Sequence, residues 1–302
     1  MEKITAVVVT YNRKELLMKT INALRNQTRA LESIIVVNNG STDGTDIWLD
    51  SQDDLTVFHQ VNCGGSGGFY RGIKEAYDAG FDRIWCMDDD VFPYPTCLAD
   101  MLDVSGENIG ILCPERYMNG NVFLSEFKKL NLSNPFKSLY GPPVTINETH
   151  KGLPIEIESM SFEGPLICRE VVEKIGLPNK DLFIIFDDTE YSYRAVKAGF
   201  KVLYIPNAKM DKHYFAQNKT KEEQIIANKW KYWYGLRNNA YFCHHYGTNF
   251  IFKNFGEYRY LLKMLLTMLY NLPRNHKYEW TDVIKLFVID RMGRKEKLGL
   301  FQ

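Results

Sequence analysis

The chain has 302 residues, 45% of them apolar, which suits one large α/β domain, or one domain with a helical extension, and a sizeable core. Lys and Arg total 37, as do Asp and Glu, and a net charge of zero excludes a whole-surface attraction to nucleic acid. Six scattered cysteines without a C-x-x-C pair give no support to structural zinc or a thiol redox motif.

The opening MEKITAVVVTYN carries an apolar run from Ile4 to Val9, the length of a strand and too short for a signal-peptide core or a membrane span. A reducing, cytoplasmic setting is therefore expected, with free thiols buried as small hydrophobes. The run is continuous and β-branched, as in a buried parallel strand. Asn12 with Glu15 three residues on reads as a capping box, ahead of Leu17, Ile21 and Leu24 at helical spacing. A second strand over Ser33–Val37 ends in the turn-rich Asn38–Thr45, and a third covers Leu55–Gln60. Gly67–Ala79 reads as a helix with Phe69, Ile73 and Tyr77 one turn apart, and a fourth strand, Arg83–Met87, runs into Asp88-Asp89-Asp90. This alternation predicts a mostly parallel sheet with helices on both faces, binding its ligand beyond the carboxyl ends of the strands.

Residues 114–153, rich in Asn, Pro and Gly, read as a long irregular insertion. A strand is expected over Ile155–Phe162, a short helix over Val171–Ile175, a helix over Asp187–Ala198 ended by Gly199, and a strand over Lys201–Ile205. From about residue 221 the pattern is helical, so the chain divides into a catalytic domain, 1–215, and a helical extension, 216–302.

Three consecutive aspartates at a strand end repel one another unless a cation neutralises them. Alternation along an extended segment puts Asp88 and Asp90 on one side, where both reach one Mg²⁺ or Mn²⁺ bridging a diphosphate; the plain alternative is an acidic surface turn. The glycine-rich Asn62–Phe69 either brings backbone and a helix N-terminus close to phosphate or makes a tight turn. It is no dinucleotide fingerprint, since Tyr70 stands at the third glycine position, and no P-loop, since Gly-Lys-Ser/Thr is missing. Asp187, Asp188 and Glu190 open a predicted helix; capping accounts for one such acid, and a carboxylate there can serve as a general base.

Val7–Arg13 (VVVTYNR), Val36–Thr45 (VVNNGSTDGT) and Met87–Asp90 (MDDD), in this order, resemble the inverting family-2 glycosyltransferases of GT-A fold over about residues 1–215. The resemblance implies that Thr10, Asn12 and Asn39 line the nucleoside site, although many members carry Asp where this chain has Asn39. It implies that Asp88 and Asp90 hold Mn²⁺ or Mg²⁺ with His213 completing the shell, and that Asp89 lies beside the donor. Asn62 to Gly72 (NxGGSGGFxRG) is similar to a segment of galactofuranosyltransferases, with a looser version in rhamnosyltransferases. By that likeness Asn62 and Gly67 belong to the donor site, and Arg71 either faces the diphosphate or lies on the solvent side of its helix. FDDTEYSYRA resembles the (W/F)-D-D-x-E-(Y/F) element of the same enzymes, which implies Asp188 as base, Asp187 and Glu190 in support, and Phe162 and Glu163 shaping the acceptor pocket. The galactofuranosyltransferase pattern has tryptophans near that pocket and this chain has none.

The expected activity is inverting transfer of galactofuranose from UDP-galactofuranose to a hydroxyl of a cell-surface glycan or lipid-linked acceptor. A dTDP-rhamnose or other hexosyl donor is the alternative within the family. Outside it stand a nucleotidyltransferase, which would carry a basic Gly-rich loop where this chain has TYNRK, and a non-catalytic glycan-binding module. Lys229–Tyr246 reads as a helix whose aromatics are core, with Tyr234, Arg237 and Asn238 matching Tyr/Arg-Asn segments of related transferases. Residues 256–275, apolar over Leu261–Tyr270 and flanked by bases, read either as a peripheral contact with the inner face of a membrane or as a face buried against protein, a second subunit included.

Overall fold

The computed structural model describes residues 2–215, 221–275 and 278–301. Contacts divide the chain into two compact units, the first comprising Met1–Lys129, Pro142–Lys180 and Asp188–Tyr214, the second Leu130–Gly141, Asp181–Asp187 and Phe215–Gln302.

The first unit begins with β1 (Ile4–Thr10), α1 (Lys14–Arg25), β2 (Ser33–Asn38), α2 (Thr45–Asp50), β3 (Leu55–His59), α3 (Gly64–Asp78) and β4 (Arg83–Asp88). These four strands pair in parallel in the order β3-β2-β1-β4. Alternation along β1 and β2 sorts their side chains into two cores. Val7, Val9, Ile35 and Val37 meet Phe69 and Ile73 of α3, while Ala6, Val8, Ile34 and Val36 meet Leu17, Ile21 and Leu24 of α1. Glycine sets how closely α3 approaches: a Cβ on Gly68 would stand 2.4 Å from Val9 Cγ1, and one on Gly72 would stand 2.2 Å from Val7 Cγ1.

The sheet continues through β5 (Val91–Pro93), α4 (Cys97–Leu102), β6 (Ile109–Met118), β7 (Asn121–Phe123), α5 (Ile146–Thr149), β8 (Ile155–Glu156), β9 (Leu166–Cys168), α6 (Arg169–Ile175), α7 (Asp187–Lys197) and β10 (Lys201–Lys212). The full order is β3-β2-β1-β4-β9-β6-β10-β5, with β7 beside β6 and β8 beside β10. It is a mixed sheet rather than a mostly parallel one: β9 is antiparallel to both neighbours, while β10 runs parallel to β6.

The structure corrects several expectations drawn from the sequence. The irregular insertion starts later than residue 114, because β6 carries the chain through the sheet to Met118 before turning back in β7. Of the strand expected over Ile155–Phe162 only Ile155–Glu156 is regular. β10 extends to Lys212, well past Ile205. The capping box at Asn12 is absent: Arg13 precedes α1, and Asn12, at φ +53°, turns its side chain to Thr42. The helix expected from Gly67 starts at Gly64, so the glycine-rich segment is helix rather than loop.

The second unit is α8 (Lys221–Tyr246), α9 (Phe250–Phe255), α10 (Tyr258–Asn275) and α11 (Trp280–Arg294), with the two short segments named above. Trp233 and Leu236 of α8 pack with Met268 of α10 and with Leu286 and Ile289 of α11. Gly293 lets α11 cross α8 closely, since a Cβ there would lie 2.1 Å from the Arg237 carbonyl oxygen.

Candidate active site

The parallel strands deliver Thr10, Asn38 and Asp88 to one edge, and register pairs Thr10 with Asn38 and Val9 with Asp88. The loops beyond these strand ends are cross-linked to one another. Asp89 is buried, accepting from the Thr10 hydroxyl at 2.7 Å, from the Tyr11 N–H at 3.3 Å and from Arg13 at 3.1 Å. Arg13 also reaches Asp90 Oδ2 at 3.1 Å. Asn12 accepts from the Thr42 N–H at 2.7 Å, which ties the first loop to the second.

Asn39 is buried, and its amide donates to the Gly64 carbonyl at 2.9 Å and to Asn62 at 3.3 Å. Its carbonyl accepts from Gln60 at 2.9 Å and the Cys63 N–H at 3.1 Å. Each polar site of this side chain is thus engaged within the chain, so Asn39 holds the β2 loop to the head of α3. Asn62 also accepts from the Gly64 N–H at 2.9 Å. Gly67 packs against Cys63, whose Cβ would lie 2.5 Å from an added one. Arg71 is turned to Glu75 at 2.7 Å and stacked 4.7 Å over the Phe58 ring.

Beside β4 lies a second set of charges that the motifs alone do not bring together. The Gly164 N–H donates to the Cys86 carbonyl at 2.9 Å and Trp85 donates to the Gly164 carbonyl at 2.8 Å, which sets Glu163 next to the strand end. At φ +103°, and with Met210 Cε 2.5 Å from where a Cβ would be, position 164 accepts only glycine. Glu163 pairs with Arg116 and with Lys212, the latter at 2.6 Å; Lys212 lies 3.6 Å from Asp90 Oδ1, and Arg116 also pairs with Glu126. Burial alone would raise the Glu163 carboxyl, but Arg116 and Lys212 outweigh it and hold it below the usual range. Asp88 goes the other way. Burial first, then the charges of Asp90, Glu163 and Asp89, push its carboxyl well above the ordinary carboxylate range, and Lys212 offsets only part. Lys212 belongs to β10, the residue before His213, and only the pairing of β10 with β5 and β6 brings it here.

These carboxylates fit a divalent cation. Asp90 Oδ1 is buried and accepts no hydrogen bond, and Asp88 is destabilised as an anion by its neighbours, which is the field that Mg²⁺ or Mn²⁺ relieves. His213 donates its backbone N–H to the Asp90 carbonyl at 2.8 Å. Among the described residues no three His, Cys, Asp or Glu side chains gather as a metal cluster.

The acids of α7 lie at its first turn. Asp188 is half-buried and accepts the Thr189 N–H at 2.6 Å, while Glu190 is buried and pairs with Arg194 at 2.9 Å. Thr189 bonds Ser159 at 2.9 Å and Ser192 bonds the Met160 N–H at 3.3 Å, so α7 is tied to the same segment that ends in Glu163. Phe162 lies within the core, its ring 4.4 Å from that of Phe69 and 5.9 Å from that of Tyr191. Asp187, also buried, closes an unusual turn in which Phe183, Ile185 and Phe186 all have left-handed φ, +68°, +66° and +75°. Such angles cost β-carbon residues free energy and persist where contacts enforce them. Here the Asn238 amide contacts the carbonyls of Leu182, Ile184 and Ile185 at 2.8–3.0 Å, and Arg237 donates to those of Asp181 and Leu182.

The fold is that of GT-A glycosyltransferases. In fold, the structure of GalNAc-T7 with UDP, GalNAc and Mn²⁺ matches at TM-score 0.58 and 17% identity, covering 80% of this chain and 51% of that one. The structure of S. aureus TarS with UDP matches at TM-score 0.50 and 16% identity, covering 78% of this chain and 63% of that one. The glycosyl transferase family 2 model matches residues 5–176, more than half the chain, and the protein belongs to that family. Galactofuranosyltransferase GlfT1 of Mycolicibacterium smegmatis is 27% identical over 216 residues, 66% of this chain and 67% of its own length. The dTDP-rhamnosyl transferase RfbF of Shigella flexneri is 27% identical over 219 residues, 68% of each chain. The chain thus spans about two thirds of these curated relatives.

Proposed function

We propose that the protein transfers a hexosyl group from a nucleoside-diphosphate sugar to an acceptor hydroxyl with inversion, and that the donor is UDP-galactofuranose. The observation that carries this reading is the carboxylate pair at the end of β4: a buried Asp90 oxygen that accepts no hydrogen bond, two residues on from Asp88 at the strand end. Asp88 and Asp90 would hold Mn²⁺ or Mg²⁺, which supplies charge neutralisation for the departing diphosphate. Asp89, tied to Thr10 and Arg13, anchors the loop that carries that pair.

Asp188 is the general base. It removes the proton of the acceptor hydroxyl as that oxygen attacks the anomeric carbon; the bond from that carbon to the diphosphate oxygen breaks, and the proton remains on the Asp188 carboxyl. The Thr189 N–H on Asp188 Oδ1 fixes the carboxylate plane. Asp187 and Glu190 support the acceptor side, and the acceptor is a glycan or a lipid-linked saccharide. The galactofuranosyl choice is supported by the likeness to GlfT1 and by the NxGGSGGFxRG and FDDTEY segments. The equal identity to RfbF makes dTDP-rhamnose the second donor to try.

Thermal unfolding in the presence of a panel of nucleotides and sugar nucleotides, with and without Mn²⁺, tests this without an acceptor, because a ligand of the native state raises the midpoint by mass action. UDP and UDP-galactofuranose should raise it, and EDTA or Asp90→Ala should abolish the rise. A response to dTDP compounds alone would move the donor to rhamnose, and no response to any nucleotide at millimolar concentration would refute the transferase reading.

A further inference from the structure

We propose that the helical unit docks on an anionic lipid surface through one face, built from the segment at Phe136, the start of α9 and the outer side of α10. Phe136 and Phe250 are 83% and 77% exposed and line one groove together with Ile251. The Arg259 guanidinium donates to the Phe136 carbonyl, which joins this groove to the first turn of α10. The rings of Phe255 and Tyr258 lie 5.2 Å apart and carry the apolar surface onto that helix. From Tyr258 it continues one turn at a time through the exposed Leu262, Leu266 and Tyr270, while Met268 faces the core. An exposed apolar strip of this length marks a contact surface rather than ordinary scatter.

Its charges say what the contact is. Between residues 250 and 272 the exposed charges are Lys253, Arg259 and Lys263, all basic, and the single acid of that stretch, Glu257, is buried. A second copy packed about a two-fold axis would set this strip against itself and place those cations opposite their own kind. A bilayer with anionic headgroups offers hydrocarbon to the leucines and negative charge to the bases at once. Tyr258 and Tyr270, near the two ends of the strip, have the amphipathic rings that suit headgroup level. The helix lies in the plane of the surface, since among the described residues no helix is long and apolar enough to cross a membrane. Docking of this kind is independent of the reaction assigned above, and its test reads no turnover.

The test is sedimentation of the purified chain with vesicles of phosphatidylcholine alone and of equal parts phosphatidylcholine and phosphatidylglycerol. The protein should pellet with the mixed vesicles, less so as salt is raised, and remain in the supernatant with phosphatidylcholine alone. Leu262→Glu with Leu266→Glu should abolish pelleting, and Lys253→Gln with Lys263→Gln should weaken partitioning on the order of tenfold or more. Both double variants should keep the wild-type melting temperature; should the leucine pair fail to fold, the exposed lysine pair still decides. Absence of wild-type pelleting with anionic vesicles would overturn the proposal. So would a dimer seen by light scattering and dissolved by Leu262→Glu with Leu266→Glu, which would assign the face to a second copy.

Discussion

Asp89 accepts from the Thr10 hydroxyl, the Tyr11 N–H and Arg13, whereas the Oδ1 of its neighbour Asp90 accepts no hydrogen bond. The two carboxylates should therefore fail differently. Asp89→Ala removes the acceptor that joins the β1 and β4 loops and leaves the buried Thr10 hydroxyl unmatched, while Arg13 keeps Asp90 as a partner, so it should destabilise the fold by about 1–3 kcal/mol. Asp90→Asn keeps the shape and should leave urea unfolding close to wild type while weakening the Mn²⁺-dependent response to nucleotide. Equal losses of stability in both variants would contradict this division of roles. Asp188→Asn should lower kcat by roughly 10²- to 10⁴-fold with nucleotide protection unchanged, as expected when only proton removal is lost. The Asp-rich motifs were legible because charges crowded at strand ends need partners. Arg13 and Lys212 are not legible as those partners, because pairing a cation with a distant acid requires the register of β4, β5 and β10.

At the scale of elements, α3 separates two uses of glycine in one run of sequence. Gly68 and Gly72 lie against Val9 and Val7, so Gly68→Ala or Gly72→Ala should lift the helix off β1 at a cost of about 1–3 kcal/mol. Gly65, in the same helix, has nothing within 4 Å of an added Cβ, and Gly65→Ala should be neutral or stabilising by up to about 1 kcal/mol. Thermal melts of the three variants check this, and a destabilising Gly65→Ala would indicate that its backbone is needed for something other than helix. The turn before Asp187 makes a different case. Its left-handed residues are all apolar, so no glycine or asparagine in the sequence announces it. The cause lies in α8, where Asn238 gathers three carbonyls of the turn. Asn238→Ala should relax the turn and lower kcat more than nucleotide affinity, whereas Asn238→Asp, with no donors to offer, should do no better. Retained kcat in Asn238→Ala would show that the turn holds itself.

For the molecule as a whole, the parallel half of the sheet was legible because β1, β2 and β4 are continuous apolar runs ending in polar loops. The other half was not. β9 contributes only Leu166–Cys168, too short for any period, and β6 carries Glu115 and Arg116 into the interior, which interrupts the apolar run of a buried strand. Arg116 is balanced by Glu126 and by the more distant Glu163, and Glu115 accepts from the Tyr117 and Tyr204 hydroxyls. The helical unit holds a buried set that is less well balanced. Arg294 pairs with both Asp290 at 3.0 Å and Glu257 at 3.4 Å, and among the described residues neither Glu257 oxygen accepts a hydrogen bond. Burial, reinforced by the charge of Asp290, pushes the Glu257 carboxyl up to about 7, and burial raises Asp290 as well. A carboxyl raised on folding keeps its proton in the native state where the unfolded chain, near 4.5, has already released it. Stability should therefore fall as pH rises from about 4.5 through about 7, by up to about 3 kcal/mol if Glu257 acts alone. Glu257→Gln carries no such charge, so its melting temperature should match or exceed wild type at pH 8 and lose that advantage by pH 5, in buffers of equal ionic strength. Parallel pH profiles for the two proteins would mean that Arg294 already neutralises Glu257 in the folded state, and the pH dependence would then have to come from elsewhere in the chain.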